Sequence, residues 1–226
     1  MKVLLVIPAY NEALNLDKVI HDIQAHTDFD YIIIDDCSKD NTLELCRERG
    51  YHHIHLPINY GLTSAVQVGY KYAVENHYDV AIQFDGDGQH KAEYLKPLVA
   101  AIENGADIAI ASRFLSEKKP WNARMLGSRL LSLLIKITTG KKLSDPTSGM
   151  RAFSRNTFEE YAFNMNYPPE PDTLVYMLRR GKKLKEIQVK MDEREFGESY
   201  LNPIRSIKYM AEMVISIVFI QTFRKR

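Results

Sequence analysis

Short apolar runs alternate with amphipathic segments along the first two-thirds of the chain. The apolar runs have the length and the β-branched content of buried strands. They predict five strands, at residues 3–8, 31–35, 53–56, 80–85 and 108–111. The intervening segments predict four helices, at residues 13–26, 42–49, 62–76 and 94–104. Because strands alternate with helices, the pattern predicts an α/β fold with a mostly parallel sheet covered by helices on both faces.

The alternation loosens after residue 112. Further along, the pattern predicts helices over about residues 122–139, up to Arg180 and from near Pro203, with strands at 150–154 and 184–189. No repeat or linker divides the chain, so we expect a single domain over residues 1–200. Residues 201–226 then form a C-terminal apolar and basic helix, which we interpret as an element that contacts a membrane interface or a partner protein.

The composition is that of an ordinary globular protein. The chain has 226 residues, of which 45% are hydrophobic and 26% are charged, which excludes disordered and collagen-like classes. Cys37 and Cys46 provide neither a disulfide framework nor metal-ligand spacing. The longest apolar run, residues 209–223, would be about 22 Å long as a helix, shorter than the roughly 30 Å hydrocarbon core of a bilayer. We therefore expect a cytoplasmic protein that does not cross a membrane.

Charge is distributed unevenly along the chain. Residues 1–177 contain 18 basic and 23 acidic side chains, whereas residues 178–226 contain 12 and 6. A basic tail on an acidic body is typical of a surface that meets phosphates or an anionic membrane.

Paired carboxylates follow the predicted strand at 80–85. Asp85 and Asp87 are two residues apart, so their side chains can point in the same direction. Hard carboxylate oxygens suit Mg²⁺ or Mn²⁺, which complete their shells with water and phosphate. A solvated turn is the alternative. A calcium loop is excluded because its sixth and twelfth positions would be His90 and Lys96.

A second acidic group, Asp35, Asp36, Ser38 and Asp40, follows the strand at 31–35. Asp40 or a neighbour is expected to cap the next helix. Capping does not require Asp35 and Asp36, and such carboxylates accept hydrogen bonds from the ribose or base of a nucleotide. The glycine-rich phosphate loops of dehydrogenases and P-loop NTPases are missing from the sequence.

Several short motifs occur in a fixed order over roughly residues 3–200. They are Pro8-Ala9-Tyr10-Asn11-Glu12, Asp35-Asp36-x-Ser38-x-Asp40, Asn59-x-Gly61-x-x-x-Ala65-x-x-x-Gly69, Asp85-x-Asp87-x-Gln89, Ser112-Arg113, Ser148-Gly149-Met150-Arg151 and Arg194-x-x-Gly197-x-Ser199. The series resembles the signature of family 2 glycosyltransferases, and within that family the polyprenyl-phosphate sugar transferases, which include dolichol-phosphate mannose synthase.

This resemblance implies a single GT-A-type (Rossmann-like) domain and inverting transfer from a nucleoside-diphosphate sugar. The residues implied to line the substrate pocket are Pro8, Tyr10, Glu12, Asp36, Asp85, Gln89 and Ser199. Asp87 would be the chief ligand of Mg²⁺ or Mn²⁺, with Asp85 and Gln89 assisting. The resemblance places Arg113, Arg151 and Arg194 near the diphosphate or the acceptor phosphate, and guanidinium groups suit phosphate oxygens.

A hydroxyl acceptor would need a general base, whereas a phosphate acceptor is already an anion. Asp145 is the candidate for a base or an acceptor-site residue, and a simple turn aspartate before Pro146 is the alternative. Glu170 is a second candidate for the same role.

The acceptor implied by the resemblance is a polyprenyl phosphate, with a polysaccharide or glycolipid hydroxyl as the alternative. The predicted helix at 122–139 has an apolar stripe with basic neighbours, formed by Leu126, Leu130, Leu133, Leu134 and Ile137 with Arg124, Arg129 and Lys136. The tail repeats this pattern with Ile204, Ile207, Ala211, Val214 and Val218. Each stripe fits a membrane interface, the domain core, a small membrane protein or a second copy of the chain.

We expect peripheral attachment to the inner face of the cell membrane and no nucleic-acid partner. Two other functional classes are alternatives. One is a sugar-phosphate nucleotidyltransferase, although the sequence lacks its glycine-rich loop, and the other is a non-catalytic nucleotide-binding scaffold.

Overall fold

A computed structural model describes residues 1–121, 123–163, 170–192 and 203–220. Seven strands form one sheet: β1 (Val3–Ala9), β2 (Asp30–Asp35), β3 (His53–His55), β4 (Val80–Gln83), β5 (Ile108–Ser112), β6 (Arg151–Ser154) and β7 (Leu184–Gln188). The helices are α1 (Leu16–His26), α2 (Thr42–Glu48), α3 (Leu62–Glu75), α4 (Leu95–Glu103), α5 (Ala123–Thr139), α6 (Arg155–Phe163), α7 (Pro171–Arg179) and α8 (Pro203–Ile215). A 3₁₀ turn, Ala92–Tyr94, leads into α4, and a π-helical turn, Ser216–Ile220, follows α8.

The sheet has the strand order β3-β2-β1-β4-β6-β5-β7. All pairings are parallel except those of β6, which runs antiparallel to both β4 and β5. The predicted mostly parallel α/β sheet is therefore confirmed. Because β1, β2 and β4 are parallel neighbours, their carboxyl ends lie together at one edge of the sheet.

The strand β1 is buried on both faces, as its apolar sequence predicts. Leu4 and Val6 belong to a core layer shared with α3, α5, α6 and α7. Leu5 and Ile7 belong to the opposite layer, which is formed with α1 and α4. The alternation of side chains along this single strand thus supplies both halves of the hydrophobic core.

The helix α6 was not expected from the sequence. It follows β6 directly, without a turn signal, and a hydrogen bond of 3.1 Å joins the hydroxyls of Ser154 and Thr157 at the junction. Phe158 and Tyr161 are buried against Tyr70 of α3. The exposed positions of α6 are Asn156, Glu159 and Phe163. The helix is therefore stabilised by aromatic packing on α3, which the sequence pattern alone does not indicate.

The C-terminal helix packs on the domain. Met210 of α8 contacts α5 at Gly127, where an added Cβ would lie 2.8 Å from the methionine Cε. Further along, Ile217 is buried, and the Ser216 hydroxyl donates to the Asp172 carboxylate at 2.6 Å. Of the predicted tail stripe, Val214 packs against the core and Ala211 is exposed. The side chains at 204 and 207 lie outside the described residues.

Within the described residues, none of the helices combines the length and the apolar character that crossing a bilayer requires.

Gly69 sets the distance between α3 and β1, and this contact gives a test of the packing. An alanine methyl at this position would lie 2.2 Å from Val6 Cγ1. We expect Gly69→Ala to lower the free energy of unfolding by about 1–3 kcal/mol, the usual effect of overpacking a core. Urea denaturation measures the change. The double variant Gly69→Ala with Val6→Ala should lose less than the sum of the two single losses, and strict additivity would contradict the proposed contact.

Candidate active site

The loops that follow β1 and β2 are hydrogen-bonded to each other. Asn11 has a positive φ of 57°. Its side-chain oxygen accepts from the Lys39 backbone N–H at 2.8 Å, and its own N–H donates to Ser38 Oγ at 3.0 Å. The Glu12 N–H donates to Thr42 Oγ1 at 2.9 Å. These contacts make one rigid rim at the carboxyl edge of the sheet.

Two of the predicted pocket residues lie on this rim with different environments. Glu12 is buried, and its carboxylate accepts from Asn15 Nδ2 at 2.7 Å, next to the start of α1. Tyr10 is 40% exposed, so its ring is free to contact a bound molecule. Pro8 precedes it within β1.

Asp36 holds the loop that leads into α3. Its two carboxylate oxygens accept from the backbone N–H groups of Tyr60 and Gly61, each at 2.7 Å. Gly61 has a φ of 83°, a conformation that favours glycine. Asp36 therefore shapes the edge of the candidate nucleoside pocket by fixing this loop.

Asp35 and Asp40 also bind groups of the protein itself. Asp35 is fully buried and lies 2.6 Å from His55 Nδ1, a partner that sequence reasoning missed. Asp40 accepts from the N–H of Thr42, the first residue of α2, at 3.0 Å. Asn41, not Asp40, occupies the N-cap position of α2, and its side chain makes no capping hydrogen bond. Asp40 instead accepts from the first N–H of the helix, from the position before the cap.

The paired carboxylates Asp85 and Asp87 lie just beyond the end of β4 and are both half-buried. Asp85 Oδ1 accepts from Gln83 Nε2 at 3.2 Å, and Asp87 Oδ1 accepts from the Gln89 N–H at 3.1 Å. His90 Nδ1 accepts from the Asp85 N–H at 3.2 Å, which places the imidazole proton on Nε2. The imidazole thus supports the loop from behind.

Gly149 lies directly against Asp85. A Cβ added at Gly149 would be 2.5 Å from Asp85 Oδ2. Any larger residue would push the carboxylate aside. Glycine in the Ser148-Gly149-Met150-Arg151 motif therefore leaves the space that the Asp85 carboxylate, just after β4, occupies.

Asp145 forms a two-point salt bridge with Arg113. Arg113 Nε lies 2.6 Å from Asp145 Oδ2, and Nη2 lies 2.9 Å from Oδ1. Asp145 is fully buried. Burial acts to raise the pKa of this carboxyl, but the hydrogen bonds and the charge of Arg113 outweigh it, so the pKa lies below the ordinary value. The expectation of a free base at Asp145 does not fit this geometry; the carboxylate orients Arg113.

Two side chains of β7 hold the same region, and sequence reasoning missed both. The Glu186 carboxylate accepts from the backbone N–H groups of Ser144 and Asp145, at 2.9 and 3.1 Å. Gln188 Nε2 donates to the Arg113 carbonyl at 3.0 Å. Glu186 and Gln188 are two residues apart on the edge strand, so they share one face, and this spacing was the available signal.

Arg151 is 2% exposed, in contrast to the expectation of a phosphate contact. Its Nε donates to the Ser148 carbonyl at 2.8 Å, and its Nη2 donates to the Pro146 carbonyl at 2.9 Å. The guanidinium group thus braces the loop that carries Gly149 and Asp145.

Glu170, the second candidate base, is engaged by the C-terminal helix. The Tyr209 hydroxyl donates to its carboxylate. Burial raises the pKa of Glu170, although the hydrogen bond from Tyr209 acts in the opposite direction. This contact links α8 to the N-terminus of α7.

Gln89 connects the loop after β4 to the segment after β7. Its carbonyl accepts from the Asp192 N–H at 3.0 Å, and Lys91 pairs with Asp192 at 2.9 Å. The predicted site residues Arg194 and Ser199 follow this segment and lie outside the described residues.

The donor set at the end of β4 fits a hard divalent cation. Asp85 and Asp87 present carboxylate oxygens on a half-exposed loop, and Mg²⁺ is commonly held by one or two carboxylates plus phosphate and water. Across the described parts of the chain, no group of three or more His, Cys, Asp or Glu residues gathers around a common point. A cation here would therefore take its remaining ligands from a bound diphosphate and water.

In an open α/β sheet, ligands bind at the carboxyl ends of the strands, and the half-buried carboxylates Asp85 and Asp87 lie at that edge here. The family model of Glycosyl transferase family 2 matches residues 4–162. The chain belongs to this family, and it is a glycosyltransferase.

Two relatives have names that combine a sugar with a lipid phosphate. The undecaprenyl-phosphate mannosyltransferase of Micrococcus luteus is 31% identical over 89% of this chain and 88% of its own length. The polyprenol monophosphomannose synthase of Mycolicibacterium smegmatis is 28% identical over 89% of this chain and 81% of its own length.

Solved structures show the same fold. Glucosyl-3-phosphoglycerate synthase from Mycobacterium tuberculosis, in complex with phosphoglyceric acid, matches with a TM-score of 0.73 at 18% identity, over 99% of this chain and 81% of that one. Its complex with Mn²⁺, uridine diphosphate and glucosyl-3-phosphoglycerate matches with a TM-score of 0.68 at 17% identity, over 100% and 81% of the two chains. The predicted GT-A-type fold is confirmed.

The Arg113–Asp145 pair gives a stability test with a defined pH dependence. Asp145→Asn leaves a largely buried guanidinium without its counter-charge, and we expect the free energy of unfolding at neutral pH to fall by roughly 3 kcal/mol. Because the pKa of Asp145 is lowered in the folded state, the pair stabilises above the ordinary pKa and is lost as the pH falls through the folded-state pKa. The deficit of the variant should therefore shrink on acidification.

Asp192→Asn, which breaks the exposed pair with Lys91, is the matched control and should cost less than about 1 kcal/mol. Denaturation curves at pH 7 and pH 3 measure both variants. Equal stability of Asp145→Asn and the unmodified protein at pH 7 would refute the structural role of the pair.

Proposed function

We propose that this protein is an inverting, divalent-metal-dependent glycosyltransferase that moves a sugar from a nucleoside-diphosphate sugar to a polyprenyl phosphate at the cytoplasmic face of the membrane. The observation that carries the proposal is the half-buried pair Asp85 and Asp87 at the carboxyl edge of the sheet, with Asp85 packed against Gly149. The names of the relatives support a polyprenyl-phosphate acceptor, and the Mn²⁺ and uridine diphosphate in the structural neighbour support a metal-bound donor.

The nucleoside is proposed to lie between the ends of β1 and β2. Tyr10 offers an exposed ring for contact with the base or ribose. Pro8 and Glu12 form the floor and rim of this pocket, and Asp36 fixes its far wall through the backbone of Tyr60 and Gly61.

The diphosphate is proposed to lie over the loop after β4. Asp87 and Asp85 would hold Mg²⁺ or Mn²⁺ there, with Gln89 assisting. The metal would act as the Lewis acid that stabilises the charge developing on the leaving nucleoside diphosphate. Gly149 keeps the Asp85 carboxylate in position, and His90 holds the loop from the interior side.

The acceptor phosphate is proposed to bind near Arg113. The Arg113 side chain is 21% exposed, and Asp145 sets the direction of its guanidinium group through two hydrogen bonds. Arg151 acts as a positioning residue for the loop between them. Arg194 is proposed to contact the same phosphate and Ser199 to contact the substrate, as the family resemblance implies; both follow β7 in the sequence.

A phosphate acceptor suits this site better than a hydroxyl acceptor. A hydroxyl needs a general base, but Asp145 is bound to Arg113 and Glu170 accepts from Tyr209. A phosphate monoester brings its own anionic oxygen and needs no proton removed. An attack on the face opposite the leaving diphosphate would invert the anomeric carbon.

The proposed membrane location is supported by an exposed apolar stripe on α5. Its members Leu126, Leu130, Leu133 and Ile137 are 60%, 46%, 53% and 69% exposed. Apolar side chains on one helix face with basic neighbours are typical of an interfacial helix.

The first test measures donor binding. Thermal shift with UDP, GDP, dTDP and CMP is recorded with and without Mn²⁺ or Mg²⁺. We expect one diphosphate to stabilise the protein only with metal, by roughly 2.7 kcal/mol at 100 times its Kd. Asp87→Asn should abolish the metal-dependent part, whereas Asp107→Asn, on the amino side of β5, should not.

The second assay measures sugar transfer to a short-chain polyprenyl phosphate from donors that carry the nucleotide identified by thermal shift. Metal-independent stabilisation that survives in Asp87→Asn would contradict the metal assignment. Release of pyrophosphate from a nucleoside triphosphate would favour a nucleotidyltransferase. Binding without any transfer or donor hydrolysis would favour a scaffold.

Gly149→Ala tests the contact between the 145–149 loop and Asp85. The added methyl displaces the Asp85 carboxylate, so we expect metal-dependent nucleotide affinity to fall at least tenfold, about 1.4 kcal/mol in binding free energy. Ser148→Ala is the control, because it changes the neighbouring residue and leaves Asp85 in place. Isothermal titration measures both variants. An unchanged affinity in Gly149→Ala would contradict the assignment of Asp85 as a metal ligand.

A further inference from the structure

A basic cavity lies beside the catalytic edge, on the other side of the 142–144 loop. It has a volume of about 300 Å³ and lies between α5, the segment 114–119 and that loop. Four cationic side chains line it, together with apolar groups and serines; the cations are Lys119, Arg129, Lys136 and Lys142. The lining contains no acidic side chain. A concave surface with four positive charges attracts anions.

Lys119 provides a fixed charge at the inner side of the cavity. Its Nζ lies 2.9 Å from Ser128 Oγ and 3.1 Å from Ser132 Oγ. Burial lowers the pKa of this ammonium below its ordinary value. Its contacts are to hydroxyls, so its charge is not neutralised locally.

Two carboxylates act electrostatically on Lys119, and both are already engaged. Asp145 is bound to Arg113, and Glu186 accepts from the N–H groups of Ser144 and Asp145. Both therefore belong to the network that shapes the active-site loops, and the positive charge of the cavity remains in excess.

Arg129 fixes the upper rim. Its guanidinium donates to the Lys119 and Pro120 carbonyls and lies 4.3 Å from the centroid of the Trp121 ring. Trp121 is 87% exposed. Lys136 and Lys142 are exposed on the opposite rim, where their side chains can close on a ligand.

The apolar stripe of α5 lies beside this cavity. Leu133 belongs to the stripe and also lines the cavity. An anion that binds here would thus have apolar surface immediately next to it, a combination found in lipids with a phosphate headgroup and acyl chains.

We propose that this cavity binds the phosphate group of an anionic membrane phospholipid, with Trp121 and the α5 stripe inserted beside its acyl chains. The site uses residues other than those proposed for the donor and acceptor. The proposal rests on the membrane location proposed above for α5 and names the lipid group that would hold the enzyme there.

The test compares two double variants of equal charge change. Lys136→Ser with Lys142→Ser removes two lining cations. Lys118→Ser with Lys141→Ser removes two exposed neighbours that do not line the cavity. Binding of the full chain is measured by co-sedimentation with vesicles of phosphatidylcholine alone or mixed with phosphatidylglycerol.

We expect the unmodified protein to prefer the phosphatidylglycerol vesicles, and the cavity variant to lose roughly tenfold more affinity than the control variant. Equal losses in the two variants would reduce the effect to general surface charge and overturn the proposal. The absence of a preference for phosphatidylglycerol in the unmodified protein would also overturn it.

Competition with glycerol phosphate distinguishes a lipid headgroup from a free phosphate as the ligand of the cavity. If glycerol phosphate competes only weakly with vesicle binding, and the double variant Leu130→Ser with Ile137→Ser binds vesicles less well, the ligand is a lipid headgroup. Glycerol phosphate binding as tight as vesicle binding, and unaffected by that variant, would reassign the cavity to a soluble phosphate. Transfer by the unmodified enzyme to a short-chain acceptor in detergent tests the proposed function separately, because no bilayer is needed there.

Discussion

The parallel hydrogen bonding of β1 between β2 and β4 is the constraint on which the rest of this molecule depends. It brings three loops from distant parts of the chain to one edge of the sheet, and each loop carries polar residues. Both core layers depend on the same strand, because its alternate side chains enter opposite layers. The site and the hydrophobic core thus share their central element.

Many charged groups around this edge bind the protein itself. Asp36 holds the 60–61 backbone, Asp145 holds Arg113, and Arg151 holds the carbonyls of residues 146 and 148. Such contacts satisfy buried polar groups and pre-organise the loops before a ligand binds. Asp85, Asp87 and Tyr10 are among the residues at this edge that remain partly exposed. We therefore assign ligand contacts to a few residues, and most of the other motif residues hold those few in position.

The helix α5 connects this edge to a different surface. One of its faces packs against α7 and α8, and its exposed face carries the apolar stripe and borders the basic cavity. The salt bridge of Asp145 with Arg113 lies across the 142–144 loop from that cavity. The transfer to a lipid phosphate proposed above would require the catalytic edge to lie close to an interfacial surface, and α5 with the short loop after it would bring the two together.

The sequence by itself determined the seven strands, the alternation that makes the sheet mostly parallel, and the family, since these depend on local patterns and ordered motifs. It also located the paired carboxylates at a strand end. Only the tertiary structure decided that Asp145 is bound to Arg113, that Arg151 is buried, that Glu186 and Gln188 support the loops, and that α6 forms. Each of these depends on side chains far apart in the chain, whose pairing is decided by burial and charge. A local pattern shows which residues can ionise or pack, and the fold decides with which partner.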